Sequence, residues 1–138
     1  MTNHTTPTPH KVQRGDGKIG FIITLIIVGV LVAAGIKLVP AYLSNNKFIT
    51  AIEDIATQAG RATEHDLLAR ISEKAHQLKI TEAQAEGAIK LTRIDPSGTS
   101  TEGTCNVTVK YTRNISLYGV TTVPIEVNKT ISKKFLIL

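Results

Sequence analysis

From Ile19 to Ile36 the chain carries no charged residue, and Leu38 and Val39 extend the apolar run past Lys37. At ~1.5 Å per residue, about 20 helical residues cross a hydrocarbon core of about 30 Å. The pattern therefore predicts a transmembrane helix over residues 19–39. Ahead of it, residues 1–18 (MTNHTTPTPHKVQRGDGK) show no hydrophobic periodicity and read as a disordered polar tail. Residues 40–138 form the third segment, a small α+β domain. Its first helix continues from the span, with Phe48, Ile52, Ile55 and Ala59 at three- and four-residue spacing and Gly60 as a natural stop. Pro40 removes one backbone donor, so a kink is expected where this helix leaves lipid.

Thr63-Glu64-His65-Asp66 opens a second helix with a signature like a capping box, and Leu67, Leu68, Ile71, Ala75 and Leu78 share one face. Thr81-Glu82-Ala83-Gln84 resembles another cap before a short third turn. After Gly87 the period changes. Ile89-Lys90-Leu91 begins a strand, and Asp95-Pro96-Ser97-Gly98 reads as a turn. In TCNVTVKYT, Cys105, Val107, Val109 and Tyr111 alternate with Thr104, Asn106, Thr108, Lys110 and Thr112, the mark of a half-buried antiparallel strand. A turn near Tyr118-Gly119 leads to a third strand with Val123, Ile125 and Val127 inward. Pro124 faces outward without a ladder donor, which predicts an edge position. The fold class expected is α+β: a transmembrane helix continuing into an amphipathic helix, a second helix, then a three-stranded antiparallel meander.

Charge refines the membrane assignment. Lys11, Arg14 and Lys18 precede the run, against Lys37 and Lys47 after it. The positive-inside rule then favours a cytoplasmic N-terminus and an extracytoplasmic domain. Lys18, Lys37, Pro40 and Tyr42 mark the interfaces, with the Lys37 stem in lipid and its ammonium among head groups. A cleaved secretory signal would have an apolar region of about 7–15 residues ending in small residues. Ala33-Ala34-Gly35 is small, but Ile36-Lys37-Leu38-Val39 follows at once. Gly29 and Ala33, four apart, form a small-xxx-small pair that would let a second helix approach.

Composition excludes more than it assigns. Beyond the tail and the span roughly 95 residues remain, enough for one small domain with a thin core. The chain has no tryptophan and 4% aromatic residues, so that core rests on Ile, Leu, Val and Ala. The formal charge of +5 is spread along the chain and includes Lys129, Lys133 and Lys134. No aromatic residues interleave with a basic stripe, so nucleic acid is not an expected partner. Anionic head groups account for the charges near the span. Cys105, the single cysteine, has no disulfide partner and is predicted to behave as a small buried hydrophobe.

A search for chemistry finds little. No H-E-x-x-H, G-x-S-x-G, P-loop or paired-cysteine motif occurs. His4 and His10 stand in the polar tail without acidic or thiol company. His65 and His76 are separated on the second helix by about 16 Å, too far to share a metal. Glu53 and Asp54 are adjacent and point different ways. The acceptor-like triplets at Asn106, Asn114 and Asn128 arise readily by chance in a threonine-rich chain. No catalytic residue, metal, cofactor or small-molecule substrate is predicted.

Two resemblances meet in the opening stretch. GFIITLIIVGVLVAAGIKLVPAY resembles a type IV prepilin N-terminus, with a basic leader, a Gly20-Phe21 junction and a long apolar helix. That resemblance implies cleavage after Gly20 and a glutamate at the position where Leu25 stands. In a filament that carboxylate meets a neighbour's terminal ammonium, and a buried ammonium without its counter-charge is costly. Pro-Ala-Tyr also comes two residues early. The longer similarity is carried by GIKLVPAYLSNNKFITAIEDIA, the capped second helix and SLYGVTTVPIEV. These resemble a family of short bacterial single-span membrane proteins carrying a domain of unknown function, some encoded beside signal peptidase I. The K-L-V-P-x-Y exit motif falls on Lys37, Leu38, Val39, Pro40 and Tyr42. The resemblance implies a single span in a bacterial inner membrane, an amphipathic helix and a strand meander, and brings no catalytic residue.

Three functional classes follow. The first is a membrane-anchored accessory or structural protein with an extracytoplasmic protein-binding domain. The second is a small stabilising subunit of a large membrane complex, respiratory or photosynthetic for example. The third is a divergent pilin-like component, which Leu25 counts against. The bilayer and a membrane-protein partner are the expected contacts, the latter through Pro124 and the apolar C-terminus, Phe135 and Leu136. That terminus has three possible uses: to finish a strand, touch the membrane surface or dock on a partner.

Overall fold

A computed structural model of the chain describes residues 16–137. Up to residue 15 the polar tail, with His4, His10, Lys11 and Arg14, lies outside the described residues, as does Leu138. Helix α1 runs Asp16–Thr57 and includes both the apolar run and Pro40. The three residues before Ile19 are therefore helical rather than part of a tail. The chain divides into one unit ending at Gly35 and a second beginning at Ile36, four residues earlier than the hydrophobic pattern suggested.

In the second unit, the expected α+β architecture is present. A single 3-10 turn, Ala59–Arg61, follows α1, so the helix stops short of Gly60. Helix α2, Glu64–Gln77, is capped by Thr63, whose hydroxyl accepts from the Asp66 backbone N–H at 3.2 Å and donates to the Asp66 carboxylate at 2.8 Å. This is the capping geometry expected from the sequence, with Asp66 in the place of the usual glutamate. The hydroxyl hydrogen bond, helped by nearby His65 and Arg70, holds the Asp66 carboxyl below the ordinary carboxylate range. A second 3-10 turn occupies Thr81–Gln84.

Three strands follow: β1 (Ile89–Ile94), β2 (Glu102–Leu117) and β3 (Thr121–Leu136), antiparallel and in the order β1-β2-β3. The β2–β3 register is unbroken from Glu102 opposite Leu136 to Leu117 opposite Thr121. Odd-numbered residues of both strands therefore share one face, the one on which Cys105, Val107, Val109, Tyr111, Ile131 and Phe135 are buried. Because β1 pairs only with Thr104–Val109, the hairpin beyond Val109 is a two-stranded ribbon. At ~3.3 Å per residue its arms are about 25 Å long. As Pro124 predicts, β3 forms an edge of the sheet, and Lys129, Lys133 and Lys134 along it discourage further pairing.

One core joins the elements. Phe48, Ile52, Ile55 and Ala59 pack with Leu67, Ile71 and Ala75 of α2 and with Cys105, Val107, Val109 and Tyr111 of β2. Arg93 ties the lower end together. Its guanidinium donates to the Ala62 carbonyl and to Asp95, both at 2.6 Å, and lies 5.0 Å from the Phe135 ring centre.

Phe135 corrects the sequence reading. It is 3% exposed and belongs to the core, so its ring is unavailable as a docking residue. Of the three uses open to the C-terminus, β3 takes the first and finishes a strand at Leu136. The alternation that buries Ile131 also buries Phe135 and turns Leu136 outward, 56% exposed. Two glycines make room for this end. A Cβ on Gly103 would lie 2.6 Å from Phe135 Cε2 and 2.8 Å from the Ile94 carbonyl oxygen, and one on Gly60 would strike the Leu136 carbonyl.

Two outcomes are expected from denaturant unfolding of the full chain in detergent micelles, followed by circular dichroism. Thr63→Ala loses the cap and about 1 kcal/mol of stability. Gly103→Ala forces the Phe135 ring aside and loses about 1–3 kcal/mol.

Candidate functional site

The residues singled out at the exit of the apolar run lie on the stretch of α1 next to the ribbon. Ala41, Asn45 and Phe48 are buried, whereas Lys37, Pro40, Tyr42 and Leu43 are exposed. Leu38, Val39, Tyr42 and Leu43 form one wall of a groove of about 340 Å³, and Val123 and Ile125 of β3 form the other. Farther along the ribbon the Lys37 ammonium sits 5.4 Å from the centre of the Tyr118 ring, within cation–π range. The loop at this tip is tight. Val120 N–H donates to the Leu117 carbonyl at 3.1 Å, and the two residues between, Tyr118 and Gly119, have φ of 54° and 74°. Glycine adopts that left-handed conformation freely, whereas a bulky aromatic residue seldom does.

Toward the N-terminus the large side chains of α1 are exposed, from Ile19 and Phe21 (69%) through Leu25 to Ile36. The helix is long and apolar enough to cross a bilayer. Lys18 is exposed just before this run. A Cβ on Gly29 would meet nothing within 4 Å, so this side of the helix is open to a second one, while Ala33 is partly covered. Pro124 is exposed on the outer face of β3, opposite Asn114.

A polar pair is buried where α1 meets β2. Tyr111 donates its hydroxyl to Asn45 Oδ1 at 2.9 Å, and its ring meets Phe48 edge-on at 6.3 Å. Asn45 is only 4% exposed, and its Nδ2 has no hydrogen-bond partner among the described residues. Burial pushes the Tyr111 hydroxyl up to about 12. Cys105 is fully buried, and desolvation raises its thiol pKa, which opposes formation of the reactive thiolate.

A cleft of about 570 Å³ lies where β1 stops covering β2, between the loop at Glu82–Ala88 and the ribbon residues Lys110 and Glu126. Glu82, Glu86 and Glu126 line it, yet no metal-holding group of three His, Cys, Asp or Glu occurs among the described residues. His65 and His76 are both exposed on α2.

The interactions missing from the sequence reading are the long-range ones: Lys37 with Tyr118, Asn45 with Tyr111, and Arg93 with Ala62 and Phe135. Tyr118-Gly119 was legible as a turn, but no local pattern tells which part of α1 it meets. No family model matches the chain, and neither a curated protein nor a solved structure shows significant similarity to it.

Tyr111→Phe leaves the Asn45 oxygen buried and unpaired, an expected loss of about 1–3 kcal/mol at neutral pH. The parent chain keeps its Tyr111 contribution below pH 10. It loses that contribution as pH rises from 10 through about 12, because the unfolded tyrosine ionises first. Urea titrations across that window are expected to show the loss in the parent and not in Tyr111→Phe.

Proposed function

We propose that the protein is a single-pass membrane-anchored accessory or structural component, with residues 19–39 in the bilayer and the α+β unit outside it. It works by binding rather than by catalysis. One observation carries this reading: the long side chains of Ile19–Ile36 are uncharged and exposed on a helix that also supplies Phe48 and Ile52 to the core of the folded unit. In water, so many exposed Ile, Leu and Val side chains would carry a large hydrophobic cost, which hydrocarbon removes. Lys18 and Lys37 flank the run where head groups attract cations. The charge asymmetry across the run supports an N-terminus in the bacterial cytoplasm and the folded unit on the other side.

A small subunit of a larger membrane complex is the second reading, favoured by the open space over Gly29. The surfaces offered to a partner protein are then the Gly29 side of the helix and the exposed Leu136 and Pro124, with Phe135 withdrawn into the core. Leu25 stands where a pilin's glutamate would neutralise the neighbouring terminus, which disfavours the pilin-like alternative.

Alkaline carbonate washing of native membranes, then intact mass of the retained chain, tests the anchor. Full-length protein in the pellet is the expected result. Release into the wash would overturn the anchor. Loss of residues 1–20 would restore the pilin-like reading, and a cut near Ala33–Gly35 would make the run a signal sequence. Native electrophoresis of the same extract separates the two remaining roles, since a complex subunit migrates with a large assembly.

A further inference from the structure

The tip of the β2–β3 ribbon has features that the packing of the folded unit does not require. Val120 is 88% exposed and Tyr118 60% exposed. From Asn114 to Ile125 there is no charged residue, although a fifth of the chain is charged. Tyr118 holds its ring at the tip in a left-handed backbone conformation that is unfavourable for an aromatic residue. Its ring lies 5.4 Å from the ammonium of Lys37, the first cation after the uncharged run Ile19–Ile36. The groove of Leu38, Val39, Tyr42, Leu43, Val123 and Ile125 borders the same region.

We infer that this tip is a second membrane contact, lying at the head-group and acyl-chain boundary of the leaflet into which the apolar run emerges. The inference rests on residues 19–39 crossing the bilayer. If they do, Lys37 marks the depth of the boundary, because its stem lies in hydrocarbon while its ammonium reaches the phosphates. The cation–π contact puts Tyr118 at that depth, where amphipathic aromatic rings are favoured. Val120 projects from the next turn position, and burying an exposed valine in acyl chains is favourable. The absence of charge from Asn114 to Ile125 removes the main cost of such contact. Lipid is thus the occupant that both the charged and the apolar features fit. The folded unit would then meet the membrane at two points.

The chain lacks tryptophan, so a single introduced indole reports its own surroundings. Full-length Val120→Trp, Leu31→Trp and Ser97→Trp would each be reconstituted into phosphatidylcholine vesicles. Some vesicles would carry lipids brominated near the head group and others lipids brominated near the bilayer centre. Ser97 is exposed in the β1–β2 turn, at the opposite end of β2 from the tip. The indole at position 120 is expected to emit at shorter wavelength than that at position 97. It should lose most of its emission to lipids brominated near the head group and resist aqueous acrylamide. If position 120 matches position 97 while position 31 is quenched by lipid, the tip lies in water and the inference falls alone. If position 31 also escapes lipid quenching, the membrane span fails and the tip contact falls with it.

Discussion

The folded unit is organised by the inner face of β2, which has to be covered. Cys105, Val107, Val109 and Tyr111 point the same way, and a three-stranded sheet cannot hide that face by itself. Phe48 and Ile52 of α1 supply one cover and Leu67 and Ile71 of α2 another. At the boundary of this apolar contact, the Asn45–Tyr111 hydrogen bond fixes the register of helix against strand. A shift by one helical turn would leave both polar groups buried and unpaired.

This contact places the end of a long apolar helix beside a long β ribbon. Once Tyr111 is held at Asn45, the unbroken β2–β3 register carries Ile115, Leu117, Val123 and Ile125 farther along the same inward-facing side. These residues extend past the cover given by β1 and are half-buried, whereas Tyr118 and Val120 in the turn are exposed. A soluble hairpin of this length would gain from charges at its tip, where this one has a tyrosine and a valine.

The lower end obeys a different constraint. Arg93, Gly60, Gly103 and Phe135 form a close-packed corner in which the end of the chain becomes part of the core. Gly60 reads in the sequence as a helix stop, but α1 has already ended at Thr57. In the structure, Gly60 allows the Leu136 backbone to approach closely. The same residue satisfies a local signal and a tertiary one, and only the second explains why a side chain would be harmful there.

The sequence by itself determined the elements whose cause is local. The uncharged run gives an apolar helix, Thr63 and Asp66 give the cap of α2, alternation gives β2, and Pro124 gives an edge strand. Each depends on residues within a few positions of one another, so periodicity and capping chemistry reveal it. Tertiary structure alone decided which side of the C-terminus is buried, how far the ribbon extends, and which helix residue each ribbon residue meets. Polar residues such as Arg113, Asn114 and Ser116 hide the continuation of β2 from any test of alternation, because pairing with β3 holds them in the strand. Lys37 and Tyr118 meet because two elements far apart in the chain share one core, a consequence of packing that no spacing encodes. The candidate site was therefore half legible: its α1 residues stood out as an interface motif, while the hairpin tip beside them became visible only in the fold.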